Sequence, residues 1–202
     1  WPFVFPIGAQ ISSVGALLCA VAVQRKSACL VPNGTCRLIR SKYCIWRTLS
    51  GMPDLTEYDT LILEGGSLRC AFSAGVMDAL MLLGPMSFER VIGASAGSMV
   101  MASYLSGQYK HFVRIARDLV DDGQFIRFSS AWSEEGLMNL AHLKAHVLKH
   151  APLDLEALEH MQKTTRAEVV LTRAQDGSPM YVQPRGDAWM DALMASSAIP
   201  ML

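Results

Sequence analysis

The sequence predicts an α/β fold, a three-layer arrangement in which a mostly parallel sheet carries helices on both faces. Three observations lead there. From residue 58 onward, short apolar runs of strand length alternate with runs of helical length, the order that builds a parallel sheet covered by helices. Twice a strand run passes into a helical run through a glycine-rich turn, at 64–70 and at 93–97. And 202 residues, 51% of them hydrophobic, are enough chain to bury one such core.

Residues 1–57 read as an N-terminal extension, apart from a domain at 58–202. Trp1 to Val23 contains no charged residue, and Ile11 to Val23 is strongly apolar before Arg25-Lys26. About 20 apolar residues span a bilayer, with flanking positive charge on the cytoplasmic side, so this stretch is a candidate membrane anchor. Pro2, Pro6, Gln10, Ser12 and Ser13 interrupt it. The other reading is a poorly packed or foreign extension. A signal peptide is disfavoured, because no basic region precedes the apolar run. The five cysteines (Cys19, Cys29, Cys36, Cys44 and Cys70) form no C-x-x-C pair, which argues for reduced thiols and against zinc.

Within 58–202, Tyr58 to Leu63 reads as a buried strand and Ala71 to Leu83 as a helix closed by Gly84-Pro85. A strand at 88–92 and a helix at 95–106 ended by Gly107 follow, then a helix at 110–121 stopped by Asp122-Gly123. After an irregular aromatic segment, Phe125 to Trp132, a helix is expected from about Glu134 to Lys149, broken by Pro152. Asp154 is placed to cap a short helix through His160. Strands at 167–174 and 179–184 form a hairpin around Asp176-Gly177, the common turn pair, and a helix from Asp187 to about Ala198 closes the series.

The chemistry concentrates in the two glycine turns. Gly93-Ala94-Ser95-Ala96-Gly97 is a G-x-S-x-G pattern between a strand and a helix. That is the context of a nucleophile elbow, where a tight turn lifts the hydroxyl clear of the sheet at a helix N-terminus. A plain strand-to-helix turn with an idle serine has the same composition. Upstream lies Glu64-Gly65-Gly66-Ser67-Leu68-Arg69-Cys70. Consecutive glycines let backbone N–H groups approach an anion. The run lacks the G-K-[ST] of a phosphate loop and the G-x-G-x-x-G of a dinucleotide site. It serves either an oxyanion hole or close helix–strand packing.

Together the two clusters resemble the patatin-like phospholipase family, in particular its bacterial branch. That family carries G-G-x-x-R-G after its first strand and G-x-S-x-G one helix and one strand later. Here Gly65-Gly66-Ser67-Leu68-Arg69-Cys70 departs twice: Ser67 stands where a third glycine is common, and Cys70 replaces the closing glycine. Residues 152–157 and Ala195-Ser196-Ser197-Ala198-Ile199-Pro200 also look like family segments. The resemblance covers roughly residues 58 to 202. It implies a serine acyl hydrolase working through a Ser–Asp dyad. Ser95 is then the nucleophile, Gly65, Gly66, Ser67 and Ala96 form the oxyanion hole, and Arg69, Gly93 and Gly97 support the two motifs.

The resemblance places the catalytic aspartate in a D-G-[GA] motif shortly after the A-S-S-A-I-P segment, and none occurs before Leu202. The chain, which begins at Trp1, is therefore expected to be a C-terminally incomplete piece of a longer enzyme and close to inert alone. Losing one member of a catalytic unit costs on the order of 10⁴ to 10⁶ in turnover. Asp176 is a decoy in a turn.

The expected function is cleavage of carboxylic esters in phospholipid or another acyl-ester lipid, at a membrane surface, without cofactor or metal. The alternative is a non-catalytic lipid-binding or regulatory fragment. A His-dependent esterase is a third reading, opposed by the lack of a downstream Asp…His order. A net charge of zero gives no support to nucleic-acid binding. His142, His146 and His150 share one helix face, a spacing that can hold a metal. No H-E-x-x-H is present and Lys144 and Lys149 lie beside them, so a solvated face near a helix C-terminus is favoured.

Overall fold

A computed structural model describes residues 21–25, 58–83, 88–126 and 138–198. In chain order the elements are β1 (Val21–Arg25), β2 (Tyr58–Leu63), a 3-10 turn (Ser67–Cys70), α1 (Ala71–Leu83), β3 (Arg90–Ala94) and α2 (Ala96–Leu105). There follow α3 (His111–Asp121), α4 (Leu140–His150), α5 (Leu155–Met161), β4 (Arg166–Thr172), β5 (Pro179–Val182) and α6 (Ala188–Ser197). The strands form one sheet in the order β1-β2-β3-β4-β5. β2, β3 and β4 run parallel, while β1 and β5 join the two edges antiparallel. The α/β class with a parallel core is as the sequence predicted.

Strand register explains the core. Leu61, Val91 and Ala167 lie side by side across the parallel strands, and Leu63, Gly93 and Val169 form the next row. Both rows are fully buried. Alternation along a strand turns Ile62 and Ile92 to the other face, where they are half-buried. α2 packs on β2 and β3 and α6 on β4, and α2 also touches α1, α3, α5 and α6. Its Ala96, Gly97, Ser98, Val100, Met101, Ala102, Ser103 and Leu105 are buried, the pattern of a helix enclosed on all sides.

At the N-terminal ends of β3 and β4, Glu168 has no exposure. Arg90 Nε donates to its Oε2 at 2.7 Å, and Arg166 Nε lies 2.6 Å from Oε1. A carboxylate this buried persists only with such partners.

Several expectations shift in detail. β3 runs two residues past 92, because Gly93 and Ala94 continue the ladder opposite Val169 and Val170. α4 begins at Leu140 rather than Glu134, where the Asn139 side chain caps it by accepting from His142 N–H at 2.9 Å. Asp154 caps α5, accepting from Ala157 N–H at 2.9 Å. Asp176-Gly177 makes the β4–β5 turn, with Gly177 at φ 72°, and α3 stops before Gly123 at φ 63°.

β1 is a strand that the bilayer-length reading of 1–57 did not anticipate: Val21, Ala22 and Val23 pair with Leu63, Ile62 and Leu61. The remainder of the extension, with Cys19, Cys29, Cys36 and Cys44, lies outside the described residues, as does most of the aromatic segment. Among the described residues no helix is long and apolar enough to cross a membrane.

Candidate active site

The site forms where β2 and β3 end. Ser95 has φ 52° and ψ −130°. A non-glycine residue held there costs of order 1–3 kcal/mol and persists only if its surroundings over-determine it. They do. The Ser95 carbonyl accepts from Ser98 N–H at 2.9 Å and from the Ser98 hydroxyl. Its N–H donates to Ser196 Oγ at 2.7 Å, and that hydroxyl donates to the Val170 carbonyl at 2.7 Å.

The glycines act by what they lack. A Cβ on Gly93 would stand 2.6 Å from Ser98 Cα, and one on Gly97 would strike the carbonyl oxygens of Leu63 and Glu64. A Cβ on Gly65 would lie 2.9 Å from Ser95 Cβ and 3.0 Å from the Ala94 carbonyl oxygen. The β2 turn and the elbow are thus pressed together backbone to backbone.

The 3-10 turn brings the second cluster to the same place. Arg69 N–H donates to the Gly66 carbonyl at 3.1 Å. Ser67 sits at φ 52°, in the left-handed region where glycine is at ease, which accounts physically for a glycine being common here. Cys70 is fully buried, its thiol donating to the Glu64 carbonyl at 3.4 Å. Both departures from G-G-x-x-R-G are absorbed without opening the loop.

Gly66, Ser67, Arg69, Ser95 and Ala96 line one cavity of about 370 Å³. Its inner wall is Leu68, Met99, Phe112, Ile115, Ala116, Leu119, Phe125, Met138, Leu140 and Leu143, with Ser197 beside the mouth residues. Among the described residues, Arg69 is the one charged residue of the lining. A strained serine at the N-terminus of a buried helix, facing a glycine loop over an apolar chamber, suits attack on the carbonyl of an apolar acyl group.

Residues 61–202 match the family profile of the patatin-like phospholipases. The chain belongs to this family. It is also similar to the uncharacterized protein YjjU of Escherichia coli (strain K12), at 26% identity over 147 residues, which is 69% of this chain and 40% of YjjU. The chain therefore spans less than half the length of that relative. No solved structure matches it.

Patatin-like phospholipases are hydrolase-type proteins that act on lipids, and the cavity is where this member's candidate residues meet. Gly65 abuts Ser95 without lining the cavity, and Gly93 and Gly97 lie beneath it as packing positions. Asp176 is elsewhere, exposed in the hairpin. The Ser178 hydroxyl and N–H donate to it and hold its carboxyl below the usual range.

Of the three α4 histidines, His142 and His146 turn towards α3 and its C-terminal end, and the His150 ring lies 4.9 Å from that of His146. His142 Nε2 lies 2.7 Å from Asp122 Oδ2, and His146 Nε2 lies 3.6 Å from Asp118 Oδ2. His111, fully buried, joins three helices: Nδ1 is 2.8 Å from Ser103 Oγ, and Nε2 is 2.8 Å from the Ala151 carbonyl oxygen. Burial pushes its pKa below the ordinary histidine value, the Ala151 hydrogen bond opposing and Arg114 adding to the drop.

Sequence reasoning missed Ser196 and the chamber wall. Ser196 stood in a recognised segment, but its contact with Ser95 spans 101 residues. The wall is assembled from residues on the 3-10 turn, α2, α3 and α4 that no local pattern connects.

Proposed function

We propose that the chain carries the nucleophile and acyl site of a lipid acyl hydrolase that cleaves carboxylic esters, such as those of phospholipids. The observation behind this reading is Ser95, strained at the elbow and opening onto the apolar chamber beside Gly66, Ser67 and Ala96. In this reading the acyl chain lies along Met99, Phe112 and Leu143. Each methylene buried there contributes about 0.8 kcal/mol.

Ser95 Oγ attacks the ester carbonyl as a general base takes its proton. The developing oxyanion is met by backbone N–H groups of the Gly65-Gly66-Ser67 loop and of Ala96, aided by the positive end of α2. The alcohol departs with a proton, leaving an acyl-Ser95 ester, and water then releases the fatty acid. The base is the aspartate that the family resemblance places after A-S-S-A-I-P. Ser196 and Ser197, at the end of α6, already touch the nucleophile and the chamber, which supports a base arriving from that side. Arg69, at the mouth, is suited to holding the glycine loop or meeting a phosphate head group.

The test is a fluorophosphonate probe and p-nitrophenyl esters applied to the whole protein. Ser95 should be labelled, and Ser95→Ala should abolish both labelling and turnover. The 202-residue chain alone should turn over at least ~10³ more slowly. A whole protein that binds lipid analogues but neither reacts with the probe nor hydrolyses esters would instead be a lipid-binding module.

A further inference from the structure

We infer that Ser196 is a positioning residue for the nucleophile, a hydroxyl splice that holds Ser95 in its attacking conformation. This rests on the hydrolase reading above and adds to it a residue on a different element. The amide of Ser95 is the first past the end of β3, and the turn at the elbow carries it away from the ladder with β4. Ala94 is opposite Val170 in that ladder. The Ser196 hydroxyl fills the gap, accepting from Ser95 N–H at 2.7 Å and donating to the Val170 carbonyl at 2.7 Å. One oxygen thereby satisfies a donor and an acceptor that the turn separates.

Two consequences follow for the chemistry. The Ser95 amide is committed to Ser196, so the oxyanion has to be met by Ala96 and the Gly66–Ser67 turn, not by the nucleophile's own N–H. Ser196 also ties α6, which sits on β4, to the backbone that aims Ser95. The strained φ of 52° needs such an anchor. Removing the hydroxyl frees the Ser95 peptide to rotate and moves Oγ away from the line of attack. A water that took its place would lack the attachment to α6.

The experiment compares Ser196→Ala and Ser196→Thr in the whole protein. Rates of fluorophosphonate labelling at Ser95 are measured with kcat and KM on a short p-nitrophenyl ester, and hydrogen exchange is followed at the Ser95 amide. Ser196→Ala should slow labelling and lower kcat by about 10²-fold, the usual cost of slight misplacement, with KM little changed. Exchange at Ser95 should quicken about tenfold as its hydrogen bond is lost. Ser196→Thr, which keeps the hydroxyl, should restore each readout to within a few-fold. Counting active sites by the labelling endpoint separates slow chemistry from loss of folded protein. Wild-type labelling with equally fast Ser196→Ala labelling overturns this inference alone. A lower melting temperature with an unchanged rate per active site reduces Ser196 to a structural residue, and overturns it too. A wild type that never labels overturns the hydrolase reading and the positioning role together.

Discussion

At the floor of the chamber, Ser95 is positioned by close backbone packing pinned by the Ser196 hydroxyl, whereas the roof of α3 and α4 is held together by side chains. Beneath the nucleophile, Gly65, Gly93 and Gly97 stand where a single added methyl would meet the main chain or Ser95 itself. Across the roof, the walls are Phe112, Ile115, Leu119, Leu140 and Leu143. The 2.7 Å contact of His142 with Asp122 joins α4 to the C-cap of α3. A side chain can adopt another rotamer, while a carbonyl at the end of a strand has nowhere to go. The floor is therefore suited to fixing chemistry and the roof to fitting the shape of a substrate.

The sharpest way to break that contrast is Gly97→Ala. The methyl would strike the Leu63 and Glu64 carbonyls, and overpacking against immobile backbone should cost about 3 kcal/mol, the upper end for one added group. Melting should fall by roughly 6–12 °C at this chain length, with Ser95 labelling lost in parallel. An unchanged melting curve would show that the floor can yield.

In the roof, a larger change should be borne better. Leu140 is half-buried at the start of α4 and lines the chamber. Leu140→Trp should leave melting and acetate-ester turnover near wild type. It should lower kcat/KM for a long-chain ester by about 10²-fold, equivalent to excluding some four methylenes at ~0.8 kcal/mol each. If both esters lose activity equally, the chamber does not hold the acyl chain.

The smallest effect is expected at the joint between roof and floor. Burial disfavours the charged form of His111, so unfolding takes up a proton in mild acid. Its contribution to stability is complete above the ordinary histidine pKa of about 6.5 and is lost as pH falls below it. Melting at pH 7.5 and pH 5 should differ by a few degrees in wild type, and by less in His111→Gln. The carboxyl of Asp122, kept low first by the Gln124 amide and then by His142, with burial opposing both, loses its contribution only at still lower pH. A His111→Gln protein with the wild-type pH difference would remove His111 from the account.

The sequence made the floor legible, because a nucleophile elbow and a glycine loop are local patterns with local causes. Strand-to-helix order, the Asp154 cap and the Asp176-Gly177 hairpin were readable for the same reason. The roof was not. Phe112, Phe125 and Leu143 come together only through the packing of separate helices, and nothing near Ser196 points to Ser95. His142 and His146 showed their spacing but not Asp122 and Asp118, which lie at the C-cap of α3 and within it. β1 escaped because an apolar run followed by basic residues fits a bilayer span as well as an edge strand, and pairing with β2 is a long-range fact.

The enclosure of α2 has a consequence for motion. A helix packed by the sheet and by α1, α3, α5 and α6 belongs among the slowest elements of the molecule to open, and Ser95 rides on its first turn. On the proposed acyl-hydrolase reading, opening to admit an acyl chain is easier at the side-chain contacts between α3 and α4 than at α2. Substrate entry and bond cleavage would then run on separate clocks, one set by sliding helices and the other by a fixed serine.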